Sequence, residues 1–271
     1  MNSLTLEEES SINGALIGTS LQDGFITAGS GDDTLILRGG AFIGSNIDLG
    51  DGNNSILLED EADISTDIIN LGSGNDTVTT SPDSDLVGSL FLGAGNDTVN
   101  LQPFSFFGST IDLGEGDDNI NLSGLNFFGE ILGGDGTDTL SLEIAENVRF
   151  TFDFDATDPF VSGIEVFDQN GLGLVAFTGE DQDFVADYNL NGGALLVDAV
   201  LPQVDFISQA GTRFGGIGDV GNVIINGAFA PGSIPDGTDL DTLTFDTVLA
   251  DIGTFTTNNL TLTQTLSLIH I

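Results

Sequence analysis

Six aspartate or asparagine side chains recur at a nearly constant interval in the first half of the chain, each behind a Gly-x-Gly turn. The first glycines of these turns are separated by 21, 22, 21, 21 and 20 residues. A fixed period of about 20 to 50 residues predicts a solenoid, in which each repeat is one coil stacked on the last. Stacking would align the six side chains in one column. These motif residues are Asp33, Asn54, Asp76, Asp97, Asp118 and Asp138.

Such a column predicts a site for cations. Neighbouring strands of a sheet lie about 4.8 Å apart, and two carboxylates at that spacing repel by about 1 kcal/mol even in bulk water. The glycines allow sharp turns that leave backbone carbonyls available as further oxygen ligands. Carboxylates and carbonyls at this spacing suit Ca²⁺, a hard cation with about six to eight oxygen ligands, rather than Zn²⁺ or Mg²⁺. We therefore expect about five calcium ions, one between each pair of successive turns.

The segments around these turns predict an all-β fold. Each turn leads into a short strand such as 34–37 or 98–101, and a second strand such as 46–49 leads into the next turn. A coil then has two strands and two turns, which indicates a parallel β-roll or β-helix solenoid with coils of about 21 residues over residues 24–142. Alternation along the first strands predicts one inward-facing set: Leu35, Ile56, Val78, Val99, Ile120 and Leu140.

The six segments resemble the Gly-Gly-x-Gly-x-Asp-x-U-x repeats of RTX (repeats-in-toxin, haemolysin-type) calcium-binding proteins, and the resemblance covers about residues 24–142. It implies calcium between stacked turns, held by the motif residues and by turn carbonyls. Asn54 replaces aspartate in the second turn and should weaken the sites that it shares. The glycines implied as ligands are Gly29, Gly31, Gly50, Gly52, Gly72, Gly74, Gly93, Gly95, Gly114, Gly116, Gly134 and Gly136.

Two departures from the family pattern stand out. The family coil usually holds two nonapeptides with calcium on both sides, whereas here we expect one row of ions. The leading glycine of the repeat is kept only at Gly133. The residues in its place elsewhere are Ala28, Leu49, Leu71, Leu92 and Leu113.

The chain is strongly acidic, with 43 Asp and Glu against 3 Lys and Arg, a formal net charge of −40. Such a surface repels nucleic acid and anionic membranes and attracts cations. A merely soluble or halophilic acidic surface is the alternative interpretation of the charge. The absence of cysteine excludes disulfides and thiolate metal sites.

Other segments have weaker patterns. We expect residues 1–23 to cap the roll, residues 143–178 to continue and cap it, and residues 179–265 to form a separate β-sandwich-like region that is cut short. No apolar stretch reaches the roughly 20 residues that span a bilayer. Residues 266–271 translate back into a transposon end used in preparing sequencing libraries, so we interpret them as adaptor read-through. The single histidine, His270, lies inside that segment and receives no role.

These patterns predict a calcium-binding structural module of a secreted or cell-surface bacterial protein. An adhesin or surface-layer protein exported by a type I system, folding on meeting external calcium, fits best. Other surface proteins or neutral glycans are the expected partners, and nucleic acid is not. The alternative is an export and folding module of a secreted enzyme, such as a protease, a lipase or a polysaccharide-active enzyme, with its catalytic domain outside this sequence.

No catalytic constellation is recognisable in the sequence, so we do not expect an enzyme. Cysteine and a Gly-x-Ser-x-Gly motif are absent, and among 43 acidic residues no pair stands out as a glycosidase dyad. A polysaccharide lyase would need a catalytic arginine, but Arg38, Arg149 and Arg213 are scattered. Ice binding would need a regular column of side chains at the position between the paired glycines. The side chains at that position are irregular and partly charged.

Overall fold

The computed structural model describes residues 3–6, 11–12, 25–103, 110–124, 129–146, 148–153, 161–180, 184–201, 203–208, 213–216, 219–225, 239–245 and 261–264. These residues contain strands and no helix, which confirms the all-β prediction. No helix capable of crossing a membrane is found among them. The described chain divides into two compact units, namely unit 1 (residues 1–140 and 161–164) and unit 2 (residues 141–160 and 165–271).

The strands up to the end of the Gly-x-Gly region are β1 (Ser3–Leu6), β2 (Ser11–Ile12), β3 (Phe25–Thr27), β4 (Thr34–Leu37), β5 (Phe42–Ile43), β6 (Asn46–Asp48), β7 (Ser55–Leu58), β8 (Asp63–Asn70), β9 (Thr77–Thr80), β10 (Leu86–Phe91), β11 (Thr98–Leu101), β12 (Thr110–Glu115), β13 (Asn119–Ser123) and β14 (Glu130–Asp135). The remaining strands are β15 (Thr139–Ile144), β16 (Arg149–Asp153), β17 (Val161–Ser162), β18 (Val166–Gly171), β19 (Leu174–Glu180), β20 (Val185–Leu190), β21 (Ala194–Leu201), β22 (Gln203–Ser208), β23 (Arg213–Gly216), β24 (Asp219–Ile225), β25 (Asp239–Phe245) and β26 (Thr261–Gln264).

Unit 1 is a parallel β-solenoid with two strands per coil. The strands that follow the Gly-x-Gly turns pair in the parallel order β4, β7, β9, β11, β13, with Thr98 opposite Thr77 and Asn119 opposite Thr98. The strands that lead into the turns pair in the parallel order β8, β10, β12, β14. β1 extends the first sheet beside β4, and β17 extends the second beside β14. Each strand therefore pairs with its equivalent one coil later, as the repeat period predicts.

Alternation along these strands produces the unit 1 core. Every second residue of β4, β7, β9 and β11 is buried, and all six residues predicted to face inward have exposed fractions of 2% or less. The leucines that replace the leading glycine of the motif also lie inside: Leu49, Leu71, Leu92 and Leu113 are at most 3% exposed. The core is thus aliphatic on both sheets. Of the phenylalanines in the variable turns, Phe42 is half-buried and the others lie outside the described residues.

Unit 2 also consists of parallel strands, so the prediction of a β-sandwich over residues 179–265 is wrong for the strands described there. Sandwiches pair their strands antiparallel, whereas β19 pairs parallel with β21, β20 with β22, and β24 with β25. Partners lie about one coil apart, as in Val175 opposite Leu195 and Tyr188 opposite Phe206. Short apolar runs between turns occur in both architectures, and without glycine turns to mark the period the solenoid is hard to recognise.

Candidate metal centre

The six Gly-x-Gly turns lie on one side of unit 1, as predicted. All twelve glycines have positive φ angles, between 74° and 143°. From the second turn on, glycine is also required sterically at these positions, because consecutive turns stack backbone on backbone. A methyl group at Gly93 would place its carbon 1.7 Å from the carbonyl oxygen of Gly72. Only glycine permits this close approach, which explains why the residue recurs at the period of the coil.

Hydrogen bonds between coils fix the turns against each other. In each of the first five turns, the backbone N–H of the second glycine donates to the carbonyl of the residue between the two glycines of the next turn. Gly52 donates to the carbonyl of Ser73 at 2.7 Å, and Gly74 donates to the carbonyl of Ala94 at 2.6 Å. The turns therefore form a backbone ladder of their own, in line with the sheets.

The motif side chains lie inside this stack of turns. Their exposed fractions are between 0% and 2%. One side-chain oxygen, Oδ1, accepts a hydrogen bond from the backbone N–H of the motif residue one coil earlier. The five bonds run from Asp33 to Asn54 (2.9 Å), Asn54 to Asp76 (2.6 Å), Asp76 to Asp97 (2.7 Å), Asp97 to Asp118 (2.7 Å) and Asp118 to Asp138 (2.9 Å).

The second carboxylate oxygen has a different environment. In Asp76, Asp97 and Asp118, Oδ2 is buried and has no hydrogen-bond partner. Buried polar atoms are nearly always hydrogen-bonded, and a buried charge is costly unless a counter-charge accompanies it. Three consecutive coils thus present an orphaned oxygen that a proton or a cation would satisfy.

Asn54 reveals what surrounds this second atom. Its Nδ2 donates to the carbonyl of Gly50 in its own turn and to the carbonyl of Leu71, which precedes the next turn, both at 2.9 Å. Around Asp97, two coils further on, the carbonyls at the equivalent sequence positions belong to Gly93 and Leu113. The second terminal atom of a motif side chain, Nδ2 in asparagine or Oδ2 in aspartate, therefore lies where backbone carbonyl oxygens converge.

Burial raises the pKa values of the three central carboxyl groups. The pKa of Asp76 rises to about 7, because desolvation and the charge of Asp97 outweigh the hydrogen bond from the Asn54 backbone. The pKa values of Asp97 and Asp118 rise to about 6, again chiefly through desolvation. Without a cation, these groups would keep protons well above the ordinary range of an aspartate.

No cationic side chain of the residues that the structure describes lies in this column of turns. The protein's three basic side chains are Arg38, Arg149 and Arg213, and none lies in a Gly-x-Gly turn. Arg38 pairs instead with Glu59 in a variable turn. Among the described residues, no cluster of three or more His, Cys, Asp or Glu side chains is placed to share an ion. An ion in the column would be bound by one or two carboxylates and by backbone carbonyls, a ligand set that suits Ca²⁺.

The structure brings the motif residues and their glycines together in one stack, and it adds a position that the sequence prediction left out. The carbonyl of the residue before the first glycine, represented by Leu71, faces the motif side chain. The family pattern held a signal for this position, namely its leading glycine. In the sixth turn that glycine is kept at Gly133, where a Cβ atom would lie 1.7 Å from the Gly163 carbonyl oxygen and 2.7 Å from Asp138 Oδ2.

A second column of side chains runs beside the first on the exposed surface. It consists of the residue just before each motif residue, and its hydrogen bonds run in the opposite direction. The backbone N–H of Asn96 donates to Asn75 Oδ1 (2.9 Å), and that of Thr137 donates to Asp117 Oδ1 (2.9 Å). This exposed column has the same chemistry as the buried one but is open to water, so its charges are screened.

Comparison with protein-family models, with curated proteins and with solved structures finds no match to this chain.

Proposed function

We propose that this chain is a calcium-binding structural module, related to the RTX repeats that its turns resemble, whose coils fold when they meet millimolar calcium outside the cell. The observation that carries the proposal is the run of three buried, unpartnered Oδ2 atoms at Asp76, Asp97 and Asp118. Among the residues that the structure describes, no hydrogen-bond donor reaches these atoms and no arginine lies in their turns, so an external cation is the natural counter-charge at neutral pH.

The ligands for such an ion would come from two sources. The motif carboxylates would supply charge, and the carbonyls of the first glycine and of the residue before the next turn would supply further oxygens. Ca²⁺ accepts six to eight oxygens in flexible geometry, whereas Mg²⁺ demands a tight octahedron and keeps its water. When bound, calcium would neutralise the column and join each coil to the next.

The net charge of −40 supports a role outside the cell. Where calcium is scarce, repulsion among carboxylates favours an open chain, and such a chain remains competent for export. Where calcium is abundant, binding free energy becomes folding free energy. A surface or secreted scaffold, of the adhesin or surface-layer kind, is therefore the function that we propose, with calcium as its folding signal.

The test is isothermal titration calorimetry of the full chain, stripped of metal, with CaCl₂ and in parallel with MgCl₂. We expect Ca²⁺ to bind at several sites with dissociation constants of about 10⁻⁴–10⁻³ M, the range of extracellular modules. Circular dichroism should show β structure increasing with Ca²⁺ and much less with Mg²⁺. A protein that binds no Ca²⁺, or has the same spectrum and melting temperature in chelator as in calcium, would contradict the proposal.

A further inference from the structure

The motif residue of the second turn differs from its neighbours in one atom. In the five coils after the first, Oδ1 of the motif residue accepts a hydrogen bond from a backbone N–H of the coil before, and Asn54 does this as the aspartates do. The second atom is an oxygen in Asp76 and an amide nitrogen with two hydrogens in Asn54. Since the second and third turns share both glycines and the asparagine before the motif residue, Asn54 is a natural substitution experiment within the molecule.

Both hydrogens of the Asn54 amide are used. Nδ2 donates to Gly50 and Leu71, and Oδ1 accepts from the N–H of Asp33. The reverse orientation of the amide would set its hydrogens against the N–H of Asp33 and its oxygen against two carbonyls, so chemistry alone fixes the assignment. Asn54 is 2% exposed and neutral, and each of its side-chain polar atoms has a partner.

The contrast with Asp97 is direct. Where Asn54 presents two N–H donors to two carbonyls, Asp97 presents a buried oxygen without a hydrogen-bond partner. An oxygen facing carbonyl oxygens needs a positive group between them, and an amide NH₂ facing the same carbonyls needs nothing more.

We infer that the amide group of Asn54 takes the place that a cation occupies in the turns of Asp76, Asp97 and Asp118, so that the second turn is complete without an ion. The inference rests on the proposed calcium-binding function and deepens it. It also changes the expectation that Asn54 merely weakens the calcium sites that it shares. On this inference, the Asn54 turn folds without an ion and supports the calcium-dependent coils of Asp76, Asp97 and Asp118 that follow it.

Two reciprocal variants test the inference in the full chain. Asn54→Asp removes the amide and leaves a fourth orphaned oxygen, so calorimetry should show one more Ca²⁺ per chain, and the melting temperature in chelator should fall. Asp97→Asn introduces the amide, so the chain should bind at least one Ca²⁺ fewer. In chelator, Asp97→Asn should melt several degrees higher than the parent protein, because a buried charge is replaced by a hydrogen-bonded amide.

Matched controls come from the exposed column. Asn75→Asp and Asp117→Asn make the same chemical changes in side chains that are exposed and keep their Oδ1 acceptor. They should leave the number of bound ions unchanged and shift the melting temperature in chelator little. This comparison separates the role of the buried position from a simple effect of net charge.

The outcomes distinguish the inference from the function beneath it. If the parent protein binds no Ca²⁺, the proposed function fails. If the parent binds Ca²⁺ but Asn54→Asp adds no ion, or Asp97→Asn melts lower than the parent in chelator as well as in calcium, the inference about Asn54 is overturned while the function stands. Even if Asn54→Asp fails to fold in chelator, the Asp97→Asn measurement still decides.

Discussion

The two units stack parallel strands at a similar interval but fill the stack differently. Unit 1 has an aliphatic core, exemplified by Val99 and Ile120, next to a buried column of carboxylates. Unit 2 has an aromatic core, in which Phe152, Phe177 and Tyr188 are at most 1% exposed. The ring centroid of Phe177 lies 5.2 Å from that of Phe152 and 5.1 Å from that of Tyr188. One coil topology thus accommodates two kinds of interior, and the buried, unpartnered carboxylate oxygens of Asp76, Asp97 and Asp118 belong to unit 1.

The aromatic interior of unit 2 contains a buried hydrogen bond between two side chains. Tyr188 donates its hydroxyl to Gln169 Oε1 at 2.7 Å, and both residues are fully buried. Burial raises the pKa of Tyr188 well above its ordinary value, so the hydroxyl remains a donor at physiological pH. Tyr188 and Gln169 of unit 2 therefore satisfy each other, whereas the Oδ2 atoms of Asp76, Asp97 and Asp118 in unit 1 have no hydrogen-bond partner.

Removing one ring of unit 2 should have the largest effect. Phe177 contacts Phe152, Phe167, Tyr188 and Phe206, and its side chain is fully buried. Phe177→Ala should lower the free energy of unfolding of unit 2 by about 3–5 kcal/mol, in calcium and in chelator alike. Denaturant unfolding in both conditions measures this. Leu172→Ala, at a side chain that is 68% exposed, is the control and should change little. A loss that appears only in chelator would refute the distinction between the units.

Calcium removal should have the next largest effect, and it should fall on unit 1. At free calcium of one to ten times the dissociation constant, each site contributes about 0.4–1.4 kcal/mol. Three sites then contribute about 1–4 kcal/mol, so the amide protection of Val99 and Ile120 should fall by roughly 10- to 1000-fold in chelator. Hydrogen exchange with mass spectrometry reports this region by region. The amides of Val175 and Tyr188 serve as the internal reference, and an equal loss there would show that calcium does not act on unit 1 specifically.

A change of pH should alter the stability of the chelated protein less than calcium removal does, and the effect should come from unit 1. The folded-state pKa values of Asp76, Asp97 and Asp118 lie at about 6–7, above the ordinary 3.8. The folded state therefore binds protons more tightly than the unfolded state, and this stabilisation is complete below pH 3.8 and is lost as pH rises through about 7. In chelator, unit 1 should melt a few degrees lower at pH 8 than at pH 5.

Calcium binding at the same carboxylates should depend on pH in the opposite direction to the stability of the chelated protein. Calcium and protons compete for the same oxygens, so the apparent calcium affinity should rise between pH 5 and pH 7 and level off above. Calorimetry at three pH values checks this, and an affinity that falls across that range would contradict the assignment of these carboxylates as ligands.

The exposed ion pair of unit 1 should matter least. Arg38 donates to Glu59 Oε2, and both side chains are more than a third exposed. Water and salt screen such a pair, so Arg38→Ala should cost less than about 1 kcal/mol. Thermal unfolding at low and at high salt is the measurement. A loss as large as that caused by calcium removal would mean that surface charge pairs, and not the buried column, govern unit 1.

Much of unit 1 could be predicted from the sequence. The glycine turns marked the period of the coil, and alternation along the strands marked the inward-facing residues such as Val99. Together they determine on which side of the solenoid the turns lie. The burial of the motif carboxylates could not be predicted in the same way, because a solvated turn would have the same pattern. The amide contacts of Asn54 depend on a carbonyl one coil away, which no local pattern encodes.

The parallel strands from residue 179 on escaped prediction for a different reason. The strands of unit 2 recur at uneven intervals, as Phe167, Tyr188 and Phe206 illustrate, and their turns share no motif. Buried aromatic residues at roughly one coil spacing were the available signal. Without the tight turns that only glycine permits, coil length can vary, so a period is difficult to detect in one sequence.

The ladder of motif residues also bears on how such a chain changes its length. Each rung joins the N–H of one coil to the side chain of the next, and successive rungs are chemically alike, as in the bonds from Asp76 to Asp97 and from Asp97 to Asp118. If one coil of 21 residues were deleted or duplicated, the coils on either side of the change could still form the same hydrogen bond between motif residues. Every other coil would be unchanged, since each coil contacts only its neighbours. Recombination between repeats can therefore lengthen or shorten this scaffold by whole coils without redesigning its interior.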